Sequence, residues 1–204
     1  MIVSVIGLGY IGLPTAAILA SRGIKVVGVD TNQHVVDTIN KGKVHIVEPD
    51  LDTKVHTSVQ TGNLRATIQV EKADVFIITV PTPFKENHIP DISYIESAAK
   101  AIASVLEKGN LVILESTSPV GTTEKVMEWM REECHNLSFP EFGVDSGLAD
   151  IFVAHCPERV LPGNILHELI ENDRTIGGIT IQCAKRARDL YKVFVKADFL
   201  ITDC

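Results

Sequence analysis

The sequence predicts a doubly wound α/β fold, a mostly parallel sheet with helices on both faces. Three observations carry this prediction. Strand-like and helix-like stretches alternate from one end of the chain to the other. Several strand-like runs, such as DVFIITV (74–80) and NLVILE (110–115), are almost wholly apolar, as strands covered on both faces must be. A glycine-rich turn, VIGLGYIG (5–12), joins the first strand to the first helix.

The elements follow in order. Residues 2–6 alternate and branch like a strand, and residues 10–21 carry a helical pattern that ends near Gly23. KVVGVD (25–30) is a second strand, followed by a helix over 32–40 that Gly42 stops. The polar stretch 47–61 reads as a loop and a short helix starting near Pro49. Residues 64–70 alternate as a short strand, and 74–80 form a buried one. The prolines of PTPFKENHIPD (81–91) make a loop, and a helix over 92–106 closes at Gly109. A strand over 110–115, a turn over 116–121 and a helix over 122–133 come next. The polar stretch 134–150 is expected as a surface excursion. A strand over 151–156, a loop over 157–163 and a short helix over 165–172 follow. A strand at 174–176, a helix over 180–194 and a strand over 197–202 complete the chain. Right-handed crossovers between such strands put ligands at their carboxyl ends, beside the point where strand order reverses.

Composition narrows the partners. A chain of 204 residues suits one large domain, or one domain and the start of another. The net charge of −7 and the lack of a basic cluster argue against nucleic acid or an anionic membrane as partner. The apolar first twenty residues lack a basic leader and are broken by three glycines and Pro14, so neither a signal peptide nor a membrane span is expected. Cys134, Cys156, Cys183 and Cys204 form no metal-ligand spacing, and the seven histidines show none either. No metal is expected, and reduced thiols point to the cytoplasm.

The glycine turn has the context of a Rossmann-like dinucleotide site. Gly7 permits the tight turn, Gly9 lets a pyrophosphate approach the backbone, and Gly12 lets the helix pack against the strand. The amides near Tyr10 and Ile11 and the positive helix pole then hold the diphosphate in an otherwise acidic protein. Asp30, at the end of the second strand, accepts the adenosine ribose hydroxyls and repels a 2′-phosphate. No arginine follows in Thr31, Asn32, Gln33 or His34, so the expected cofactor is NAD.

Three further loops, VPTPF (80–84), ESTSPVG (115–121) and CPERVLPG (156–163), each follow a strand. Together with the glycine turn and GVD they resemble the NAD-binding half of the UDP-glucose/GDP-mannose dehydrogenase family. IVEPDL (46–51) and CPERVLPG resemble its N-acetylmannosamine branch more narrowly. The resemblance implies a double oxidation of a UDP-sugar at C6 with two NAD, through a thioester on a cysteine that water then hydrolyses. It implies that Thr82 and Thr117 contact NAD, and that Thr117 also helps hold a catalytic water. Glu158 is implied as the base that activates this water, a role that a raised pKa would suit. Arg159 and Val160 are implied to line the substrate site. The glucose-type enzymes carry a second glutamate where this chain has Pro162.

The catalytic cysteine and lysine of the family match nothing here. Residues 1–204 are therefore expected to be the NAD-binding Rossmann domain, without the family's linking helix and C-terminal UDP-binding domain. Alone it is expected to bind NAD and oxidise nothing, and to be monomeric or misassociated, whereas the resemblance implies a homodimer for the full-length enzyme. The alternatives are a stand-alone NAD-binding regulatory module and a UDP-glucose-type dehydrogenase.

Overall fold

The computed structural model describes residues 1–142, 144 and 149–204. The strands are β1 (Ile2–Ile6), β2 (Lys25–Val29), β3 (Leu64–Thr67), β4 (Val75–Ile78), β5 (Leu111–Leu114), β6 (Phe152–His155), β7 (Arg174–Gly178) and β8 (Phe199–Asp203). The helices are α1 (Gly12–Ser21), α2 (Gln33–Asn40), α3 (Leu51–Gln60), α4 (Ser93–Ala103), α5 (Thr122–Glu133), α6 (Ile165–Glu171) and α7 (Ile181–Tyr191). The alternation legible in the sequence is thus the fold. α3 is a full ten-residue helix rather than the short one expected. α1 begins at Gly12, not at residue 10, because residues 9–11 complete the turn before the helix starts.

The excursion expected over 134–150 is partly inward. Cys134 and Phe139 are buried, and Asp150 accepts hydrogen bonds from Ser138 N (3.0 Å) and Oγ (2.8 Å). The rest of it, residues 143 and 145–148, lies outside the described residues.

The eight strands form one sheet in the order β3-β2-β1-β4-β5-β6-β7-β8. All pairs from β3 across to β6 are parallel, β7 runs antiparallel to β6, and β8 is parallel to β7. The chain winds outward from β1 in one direction, then restarts with β4 on its other side. The point of reversal therefore falls between β1 and β4, directly above the glycine turn.

Strand side chains alternate between two cores. Val75, Ile77, Leu111 and Ile113 pack with α1, α2, α3 and α6 on one face. Phe76, Ile78, Val112 and Leu114 pack with α4 and α5 on the other. The period of two explains why these strands read as unbroken apolar runs: both phases of the alternation are covered.

Glu48 of the IVEPDL segment ties two distant loops together. It is buried, and its carboxylate accepts from Gly163 N (2.9 Å) and Ile165 N (2.6 Å). It thereby fixes the end of CPERVLPG against the α3 side of the domain. Glu48→Ala leaves both amides without a partner. We expect it to lower stability by about 2–3 kcal/mol, read as a lower urea midpoint at unchanged slope.

Candidate functional site: a cleft along the carboxyl ends of the strands

Parallel pairing brings the carboxyl ends of β2, β1, β4, β5 and β6 side by side. At the usual strand spacing these five ends span roughly 19 Å. A cleft of about 890 Å³ runs along them, with Gly7, Gly9, Tyr10, Ile11 and Asp30 toward one end and Thr117 and Glu158 toward the other.

The glycine turn is shaped by two close passages. Gly7 has φ +93°, and a Cβ there would lie 2.9 Å from Thr79 O. A Cβ on Gly12 would collide with Gly7 O, so only glycine lets α1 begin this close to β1. The Thr79 hydroxyl donates to Ile6 O (3.0 Å) and Gly7 O (2.7 Å), which pins the turn to β4. Gly9 differs from both: it is exposed, and a Cβ on it would meet nothing within 4 Å. Packing does not require glycine there, whereas close approach of a diphosphate to the protein backbone does. Its neighbours in the turn present the start of α1, which no side chain caps. The residues present thus fit a dinucleotide diphosphate.

Asp30 closes the β2 side. Its Oδ2 accepts from Leu8 N (3.0 Å) and its Oδ1 from Asn32 N (2.9 Å). These bonds orient the carboxylate between turn and cleft, and each oxygen keeps acceptor capacity for ribose hydroxyls. The cap of α2 is Asn32, which accepts from His34 N (3.0 Å), so Asp30 is free of that task. On the β4–β5 side, Thr82 Oγ1 donates to Thr117 O (2.8 Å), joining the two loops at the mouth. Thr122 closes its own turn by donating to Pro119 O (2.6 Å). Thr117 is exposed in the cleft.

Glu158 is held from behind. Its Oε2 pairs with Arg174 Nη1, and its Oε1 accepts from the Arg159 amide (2.8 Å). Arg174 Nη1 also lies 3.6 Å from Glu115. Arg174 and Glu115 are buried, and Arg174 lies over the Tyr191 ring at 5.1 Å. Burial pushes the Glu115 carboxyl up to about 8, with Arg174 opposing the rise and Glu158 adding to it.

The cleft therefore gathers Gly7, Gly9, Tyr10, Ile11, Asp30, Thr82, Thr117 and Glu158, while Gly12 supports it from beneath. Arg159 and Val160 stand apart from it. Arg159 is exposed in a neighbouring hollow with Glu171 and Asp173, and Val160 packs against the core. Sequence reasoning missed Arg174 and Glu115. Their signal was a charged residue at the edge of a strand-like run, Glu115 closing NLVILE and Arg174 opening RTIGG.

The fold and this cleft define an NAD-binding domain of a dehydrogenase. The model of the UDP-glucose/GDP-mannose dehydrogenase family, NAD binding domain, matches residues 1–195, and the chain belongs to that family. It is 63% identical over 202 residues to the UDP-N-acetyl-D-mannosamine dehydrogenase of Campylobacter jejuni, covering 98% of this chain and 49% of that protein. It is 59% identical over 202 residues to the NDP-N-acetyl-D-galactosaminuronic acid dehydrogenase of Ralstonia solanacearum, covering 98% and 47%. The solved structure of the UDP-D-ManNAc dehydrogenase of Pyrococcus horikoshii superposes with a TM-score of 0.91 at 42% identity, covering 100% of this chain and 47% of that one. The chain spans about half the length of these relatives.

Three outcomes test the cleft. Gly9→Val, whose side chain would enter open space, should keep the melting temperature and abolish the calorimetric heat of NAD binding. Asp30→Ala should weaken NAD by roughly ten- to a hundredfold and narrow the preference over NADP. For Glu115, the folded-state pKa is raised above its ordinary 4.5, so the folded protein keeps a proton that the unfolded chain releases. Stability is then full below pH 4.5 and falls as pH rises toward about 8. Denaturation across that window should show Glu115→Gln gaining on the wild type.

Proposed function

We propose that this chain is the cofactor-binding half of a nucleotide-sugar 6-dehydrogenase. The enzyme oxidises UDP-N-acetyl-D-mannosamine to UDP-N-acetyl-D-mannosaminuronate in two NAD-dependent steps, for bacterial surface polysaccharide synthesis. One observation carries the reading. A single cleft joins the glycine turn and Asp30 to a carboxylate, Glu158, and a hydroxyl, Thr117, that cofactor binding alone does not need. Relatives named as UDP-N-acetyl-D-mannosamine dehydrogenases, at 63% and 58% identity, support this sugar, and those at 59% named for N-acetyl-D-galactosaminuronic acid support the N-acetylhexosamine class.

Bound NAD would supply the hydride acceptor for the oxidation at C6, one NAD for the alcohol and a second for the aldehyde level. The residues of this chain do the rest of their share by holding and orienting. The amides at Tyr10 and Ile11 bind the diphosphate, and Asp30 binds the adenosine ribose. Thr82 and Thr117 bound the nicotinamide side. Glu158 takes a proton from the water that attacks the thioester carbon, the C–S bond breaks to release the cysteine thiolate and the carboxylate, and Thr117 helps to hold that water. Arg159, exposed in the hollow beside the cleft, and its neighbour Val160 are the residues proposed to line the sugar side of the site. The catalytic cysteine and lysine come from a C-terminal half, so residues 1–204 alone bind NAD without turnover. The whole enzyme is a cytoplasmic homodimer, and this portion alone is monomeric.

Complementing the chain with the C-terminal half of a close relative and supplying UDP-N-acetylmannosamine tests the reading. NADH should form at two per sugar. One per sugar would mean simple alcohol oxidation, turnover only with the galactosamine analogue would reassign the substrate, and no NADH would leave a regulatory NAD-binding module. Glu158→Gln should lower kcat by roughly a hundredfold or more with NAD affinity kept.

A further inference from the structure

A buried cation stands between two carboxylates at the β6 end of the cleft, and the reaction proposed above uses only one of the three groups. The side chains of Arg174, Glu115 and Glu158 are 3%, 0% and 6% exposed. Antiparallel pairing explains how they meet. His155 is opposite Gly177 and Ala154 opposite Gly178, so continuing the register beyond β6 sets Glu158 opposite Arg174. The parallel β5–β6 register, with Leu114 opposite His155, likewise sets Glu115 beside Cys156. All three side chains then lie on the α1 and α7 face of the sheet.

Arg174 is fixed on several sides. It pairs with Glu158 and lies 3.6 Å from Glu115 through Nη1, and it donates to Leu169 O (3.1 Å) through Nη2. Tyr191 lies under its plane. Such a guanidinium has little freedom to move, so it can define where the Glu158 carboxylate sits.

We propose that Arg174 is the positioning residue for Glu158, and that Glu115 behind it sets how fully Arg174 is committed to Glu158. The inference rests on reading Glu158 as the base that faces the reacting water. One cation cannot balance two buried carboxylates. While Glu115 keeps its proton, Arg174 and Glu158 form a balanced pair. Once Glu115 ionises, the guanidinium is shared and its hold on Glu158 weakens.

The groups facing Glu115 are Arg174 from β7, Glu158 from the following loop, Cys156 at the end of β6, Tyr191 from α7 and the uncharged Thr15 hydroxyl from α1. Burial pushes Cys156 up to about 12 and Tyr191 well above its ordinary value, so both stay neutral through the range in question. Arg174 stays charged, since both carboxylates hold its pKa up against the opposing effect of burial. Glu115 is left as the group that titrates, near pH 8.

Three measurements test this. Infrared spectroscopy of the 204-residue chain, with glutamate carboxyls isotope-labelled, should show a protonated carboxyl at pH 7 that disappears toward high pH and is missing in Glu115→Gln. In the complemented enzyme, Arg174→Lys keeps the charge and loses the planar fork. It should lower kcat by roughly ten- to a hundredfold with the KM for NAD unchanged. Glu115→Gln, neutral at every pH, should move the alkaline limb of the kcat profile to higher pH. A purely structural role for Arg174 would lower the melting temperature and leave kcat of the folded Lys variant alone, which would overturn the proposal. So would an alkaline limb that Glu115→Gln does not move, or no protonated Glu115 at pH 7. If the complemented wild type makes no NADH, the functional reading fails, while the infrared result still decides whether Glu115 holds the proton.

Discussion

The site depends on one steric constraint, the passage of α1 over the end of β1. Gly12 stands where any side chain would run into Gly7 O, and Gly7 in turn lies against the backbone at Thr79. Three segments, β1, α1 and β4, can converge only because two residues lack a Cβ. Their convergence aims the uncapped start of α1 into the cleft. The Thr79 hydroxyl bonds to Ile6 O and Gly7 O lock the arrangement from the β4 side. An acidic protein thereby acquires a local positive potential without placing a lysine or arginine in the turn.

A second constraint works at the other end of the same sheet edge. β7 enters antiparallel, so its first residue meets the last residues of the β6 side rather than the opposite edge. Arg174 and Glu158 become partners for that reason alone. The result is a carboxylate whose position is set by buried groups instead of by its own exposed loop. Polar groups in so dry a setting are costly unless paired. Glu115 is incompletely paired, and its carboxyl retains a proton far above the usual carboxylate range.

Between these ends lie contacts that hold the loops in place. Glu48 caps the amides of Gly163 and Ile165 from a segment more than a hundred residues away. Thr82 and Thr117 are tied through a single hydrogen bond across the mouth. Motifs such as IVEPDL and VPTPF, which carry the family resemblance, thus include residues whose visible work is to hold neighbouring loops in register.

The sequence by itself determined the alternation of strands and helices, the glycine turn, Asp30 and the order of the loops along one sheet edge. Each of these is local. Apolar period, φ-permissive glycines and turn residues act within a few positions of themselves, and parallel strands send every following loop to the same edge. Tertiary structure alone decided the direction of β7, the buried Arg174 between Glu115 and Glu158, the capping role of Glu48 and the placement of Arg159 and Val160 outside the cleft. Those features rest on contacts between residues 16 to 117 positions apart. No spacing rule encodes such partners, because strand order and direction must exist before the side chains can meet.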